Sequence, residues 1–298
     1  MKTIYTKPIL YFLLGSFLFA CQPQNADKEK QTEQKTNSDT LQEVENNSQT
    51  ADKIEYDTND VHSMIAALEQ ANGGEAALKK LKNVEFDYHY LKPDGKKDVS
   101  VERYIFDGEA SWAKYTTHEV NVAPDLEGEI VQYYDGEKTE VYHQGEKIDD
   151  PKMIGGAQFM RKANLMWFCM MFKLDDPGTI PTYQGRKTHE GADYDVVKIT
   201  YDSSITGKAQ NDIFVLYIHP ETYMADYFYF SLPAMGINDP VLYAKVTYEE
   251  IDGIQVSVRR EMFAPNPESG EMEPLVDEVS KNVKFNNDFT AESLSSKL

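Results

Sequence analysis

Residues 84–90 read Val84, Glu85, Phe86, Asp87, Tyr88, His89, Tyr90. Apolar or aromatic side chains at every second position, with acids and a histidine between them, predict a strand with one buried face. Pro93, Asp94 and Gly95 supply a turn, and Val99 to Phe106 runs back as the next strand. The unit recurs. Further strands are expected near Ser111 to Tyr115, Ile130 to Asp135, Lys138 to His143, Asp193 to Tyr201, Ile213 to Ile218, Met224 to Phe230, Val241 to Glu250, Ile254 to Met262 and Val276 to Phe285. Asp107-Gly108, Asp135-Gly136, Gln144-Gly145, His219-Pro220 and Asp252-Gly253 mark reversals, and reversals this closely spaced predict an antiparallel meander.

Two segments depart from period two. Upstream, Val61, Met64, Ile65 and Leu68 recur at helical spacing behind a capping Asp60; Gly73-Gly74 breaks the helix, and Glu75 to Lys82 reads as a second short helical turn. Between Pro151 and Pro181 the chain carries Phe159, Met160, Leu165, Met166, Trp167, Phe168, Met170, Met171, Phe172 and Leu174. That run is too apolar and unbranched for an alternating strand, so Gly156 to Phe172 is expected as a helix inserted at about 156–174 and stopped by Asp175-Asp176-Pro177-Gly178. The fold class is mainly β, of the α+β kind, with an N-terminal and an inserted helix.

The first fifty residues read differently. Lys2 and Lys7 precede an apolar run, Ile9 to Ala20, that ends directly before Cys21. The run is about half the ~20 residues a spanning helix needs, so residues 1–20 read as a cleaved export signal. A cysteine immediately after the small residue resembles the lipobox of bacterial lipoproteins, although Phe19 departs from the small residue common there. The resemblance implies lipid on Cys21 and attachment to a membrane of the bacterial cell envelope, here expected to be the outer membrane. Residues 21–53 are almost wholly polar and read as a disordered tether, with a reach of roughly 30 Å. Residues 54–298 are expected to form one domain.

Composition narrows the function. The chain has 30 Lys and Arg against 50 Asp and Glu; losing Lys2 and Lys7 with the signal leaves 28 against 50, a net of −22. That field disfavours nucleic acid as a partner. Of the two cysteines, Cys21 is committed to lipid, so Cys169 has no disulfide partner and reads as a buried thiol. His62, His89, His118, His143, His189 and His219 show no metal-ligand spacing; His89 and His143 fall in strands and are the one pair with a chance of meeting. There is no G-x-S-x-G elbow, P-loop or G-x-G-x-x-G. The reading is a non-enzyme without cofactor or metal.

Ala71, Asn72, Gly73, Gly74, Glu75, Leu78, Leu81, Val84 and Phe86, followed by a long meander, are similar to the LolA and LppX-like superfamily of exported lipid and lipoprotein carriers. Phe172 to Thr179, Tyr183, Gly185, Asp195 to Tyr201 and Val215 to Pro220 resemble an uncharacterised family of Bacteroidetes-type lipoproteins. The superfamily resemblance implies a curved antiparallel half-barrel with helices across its open side and an apolar concave face. On that implication Phe86, Tyr88, Phe159, Trp167, Phe168, Phe172, Phe214 and Phe228 are candidates to line a site for a lipid or other apolar small molecule. The alternative is a structural or protein-interaction module whose half-barrel is filled by its own side chains.

Overall fold

The computed structural model describes residues 54–295. The expected signal segment, Cys21 and the polar tether lie outside the described residues. Thirteen strands form one antiparallel sheet: β1 Asn83–Leu91, β2 Lys97–Ile105, β3 Ser111–His118, β4 Ile130–Tyr134, β5 Thr139–His143, β6 Glu146–Lys147, β7 Thr179–His189, β8 Ala192–Tyr201, β9 Phe214–Ile218, β10 Ala225–Leu232, β11 Ile237–Ile251, β12 Ile254–Pro265 and β13 Met272–Phe285. Their spatial order is β6-β5-β4-β3-β2-β1-β13-β12-β11-β10-β9-β8-β7, so the sheet is open, with edges at β6 and β7. It is two meanders joined in the middle, where β1 pairs with β13.

That topology decides where the inserted helix goes. The chain finishes the first meander at one edge and begins the second at the other. It crosses between them through α3, Pro151–Cys169, and a 3-10 turn at Met170–Phe172. Nineteen helical residues span about 28 Å, enough to bridge the open side of a curved sheet. The helix touches both halves of the inner face. Ala157 joins a cluster from β3, β4 and β5, Phe168 joins Phe86, Tyr104 and Phe285, and Trp167 packs against Phe214, Phe228 and Phe230.

The helix begins five residues earlier than the expected Gly156. Asp150 caps it by accepting from the Lys152 amide, and Pro151 stands in the first turn, where its missing N–H costs nothing. Edge strand β7 was not among the expected strands. Its side chains are mostly exposed or half-exposed, it contains Pro181, and Gly185 at φ +86 accompanies a register shift between Tyr183 and Arg186. Proline and a glycine bulge are tolerated at an edge, where one row of N–H groups has no strand to meet.

α1, Val61–Ala71, forms as its spacing predicts and buries Met64, Ile65, Ala67 and Leu68, with the Asp60 carboxylate accepting from the His62 amide. The expected second turn shortens to α2, Glu75–Leu78. Gly73 between them has φ +130, and a Cβ there would lie 3.0 Å from the Gly253 carbonyl oxygen and 2.7 Å from the Ile254 side chain. The glycine is therefore needed for conformation and for close approach to the β11–β12 turn.

Candidate functional site: the concave face and its helix

The inner face is built from alternate residues of its strands. Phe86 and Tyr88 rise from β1, Tyr104 from β2, Phe214 and Leu216 from β9, Phe228 and Phe230 from β10, and all are buried. Trp167 lies nearly parallel to Phe228 at 5.8 Å and edge-on to Phe230 at 5.1 Å and Phe214 at 6.0 Å. One residue on, Phe168 turns the other way. It stacks on Phe86 at 4.9 Å and meets Tyr104 at 5.9 Å and Phe285 at 6.3 Å. Offset and edge-to-face pairs at such distances are favourable beyond the area they bury. Consecutive residues thus fill two halves of one concavity. Phe172 is half-buried and packs against both clusters.

Seven of the eight candidate residues therefore meet on the inner face or on the part of α3 covering it. Phe159 does not join them; it is 40 % exposed. Cys169 is buried beside Phe168, and burial pushes its thiol up to about 12, so it is not a nucleophile at neutral pH.

The floor also carries charge. Arg161 of α3 and Glu102 of β2 are both 0 % exposed and form a bidentate pair through Nη1 to Oε2 and Nη2 to Oε1. Arg161 Nε donates to Gln132 Oε1 at 3.1 Å and its Nη2 to the Tyr115 hydroxyl at 2.6 Å. Glu102 also accepts from Ser100 Oγ at 2.7 Å and the Tyr104 hydroxyl at 3.0 Å. Burial, together with the neighbouring carboxylate, pushes the Tyr104 hydroxyl far above its ordinary pKa, so it stays a donor. A second pair, Arg260 to Glu278 at 2.9 Å, lies between β12 and β13. Its Arg260 Nη1 reaches the Trp167 carbonyl at 3.3 Å, and the guanidinium sits 5.9 Å from the Trp167 ring. None of Glu102, Arg161, Arg260 or Glu278 was a sequence candidate. The available signal was Arg161 itself, an arginine within the largely apolar run of the inserted helix.

The interface between α3 and the sheet is thus occupied by side chains. The surface has shallow depressions widely open to solvent, among them one of about 710 Å3 at the β1–β2 turn and one of about 570 Å3 at the β9–β10 turn, and no α3 residue lines either of these. His89 and His143 sit on β1 and β5, four strands apart in the sheet. Among the described residues no group of three His, Cys, Asp or Glu is placed to hold a metal. No helix among them is long and apolar enough to cross a membrane.

A family model described as a family of unknown function (DUF6503) matches residues 157–237, from within α3 to the start of β11. No curated protein matches. Among solved structures, a DUF1329 family protein from Desulfovibrio piger is similar at 13% identity over 80% of this chain and 96% of that one, with a TM-score of 0.49. A putative outer membrane lipoprotein-sorting protein domain from Vibrio parahaemolyticus is similar at 9% identity, over 81% and 98% of the two chains, with a TM-score of 0.47. A LolA superfamily protein from Nitrosomonas europaea gives 14% identity, 78% and 96% coverage and a TM-score of 0.45.

Proposed function

We propose that this chain is a non-enzymatic binding protein of the bacterial cell envelope, held to a membrane by lipid on Cys21. Its concave face takes an apolar guest in exchange for the C-terminal part of α3. The observation that carries this reading is the packing of one helical crossover, α3, onto two adjoining apolar clusters of the inner face. Trp167, Phe168 and Phe172 stand where a guest's hydrocarbon would stand, and they come from the part of the crossover beyond the Arg161–Glu102 pair. The polar tether from 21 to 53 supplies reach between membrane and domain. The sequence resemblance to lipid and lipoprotein carriers points the same way.

A second reading is favoured by the Arg161–Glu102 pair. A latch this deeply buried suits a half-barrel filled for good by its own helix, acting as a structural or interaction module. Trp167 distinguishes the two. In a Trp112→Phe protein Trp167 is the single tryptophan. Titrating oleate, or vesicles of phosphatidylethanolamine and phosphatidylglycerol, is expected to give a saturable red shift as Trp167 leaves its ring cage, with lipid adducts in native mass spectra. Unchanged emission and bare protein masses would leave the filled module as the function.

A further inference from the structure

We propose that the depression at the β9–β10 turn is a binding site for a small alkylammonium group. It lies outside the concave face and is independent of the guest proposed there. About 570 Å3 in volume, it is walled by Tyr223, Tyr248 and Met224 and edged by His219, Glu221 and Asp226. The depression opens widely to solvent, and Thr222 and Gln255 add to its polar lining, so it suits a small group with a charged head rather than a wholly apolar ligand.

Asp226 is the group that defines the chemistry. On β10, Ala225 pairs with Ile218 and Tyr227 with Tyr217, leaving Asp226 as an extra residue in the ladder. Such a bulge re-aims a side chain, and here it turns a carboxylate into the depression. The carboxylate is half-buried, accepts one hydrogen bond, from the Tyr194 hydroxyl at 3.2 Å, and is paired with no Lys or Arg among the described residues. Burial raises its pKa, against the smaller opposing effects of the Tyr194 hydroxyl and of His219 at the edge of the depression.

The walls add a preference for a cation with apolar substituents. Tyr223 holds φ +59, an unusual conformation for a bulky residue, maintained by its own amide donating to the His219 carbonyl at 2.8 Å and by its ring against Tyr56 at 4.9 Å. Strain kept in place by its surroundings presents a ring beside an acid. An aromatic wall next to a carboxylate favours an ammonium over an anion or a neutral group, and Glu221 at the rim and the net charge of −20 act in the same sense.

The test is calorimetric titration of the full-length protein with choline and with its neutral isostere 3,3-dimethyl-1-butanol. Choline is expected to bind saturably and the isostere about tenfold or more weaker. Asp226→Asn keeps an acceptor for Tyr194 but removes the charge, and is expected to weaken choline about tenfold. Tyr223→Gly removes the ring at a position where glycine adopts φ +59 freely; because it also loses the ring contact with Tyr56, its weaker choline binding is to be read well below its own melting temperature. No saturable heat with choline, equal affinity for the isostere, or full affinity in Asp226→Asn would each overturn the site.

Discussion

A guanidinium and a carboxylate that are both wholly buried have each lost their hydration, and only mutual pairing and complete hydrogen bonding make that tolerable. Arg161 and Glu102 come close to both conditions: with Gln132, Tyr115, Ser100 and Tyr104, Glu102 accepts four hydrogen bonds and Arg161 donates four. Arg161→Met removes one partner and leaves the other charge stranded, so it is expected to cost about 3–5 kcal/mol. The double variant Arg161→Met with Glu102→Leu removes both charges and is expected to recover most of that loss. Urea unfolding of the two variants at pH 7 decides it, and equal midpoints would mean that the pair is not energetically coupled. The pair was hard to read in the sequence because β2 inverts the usual pattern. Asp98, Ser100, Glu102 and Tyr104 are its buried residues, while Val99 and Val101 are half-buried. Alternation identifies a strand there but does not say which face is the core. The aromatic half of the site was more legible, since Phe86, Phe214 and Phe228 sit in strands whose inward residues are apolar in the ordinary way.

At the level of elements, the same distinction explains which parts were legible. α1 and β1 bury one clean apolar face each, and their periods state it. Edge strand β7 has little to bury, so nothing in its hydropathy announces it; polar contacts hold it instead. Asp195 on β8 accepts from Tyr183 at 2.7 Å and from Arg186 at 2.8 and 3.0 Å, both on β7, and from Tyr56 in the segment before α1 at 3.0 Å. Burial alone would raise this carboxyl, but the Arg186 guanidinium and the two hydroxyls hold it below its ordinary pKa. A lowered folded-state pKa stabilises the fold above the unfolded value of about 3.9, and that contribution is lost as pH falls through the folded value. Asp195→Asn is therefore expected to melt below the wild type by a constant margin from neutral pH down to about 4, with the margin closing at lower pH. Thermal melts across that range measure it. A margin that persists unchanged at acid pH would show that the carboxylate's charge is not what pins β7.

For the molecule as a whole, the proposed division between anchor and domain has a direct consequence. The described fold starts at Ile54, and its first tertiary contacts are made by Tyr56, through Asp195 and through the ring of Tyr223. A lipid at Cys21 would thus be separated from every described contact by more than thirty residues of polar sequence. Membrane attachment should then depend on the acyl chains alone, at about 0.8 kcal/mol per buried methylene, because a domain of net negative charge gains nothing from an anionic lipid surface. Cys21→Ser is expected to move the protein from the membrane pellet to the soluble fraction of its host and to abolish labelling by a fatty-acid analogue. Its melting temperature should match that of the detergent-solubilised wild type, since no described contact is lost. A serine variant that still pellets after residues 1–20 have been removed would place the membrane contact in the folded domain, and one that melts lower would show that lipid or tether contributes to the fold.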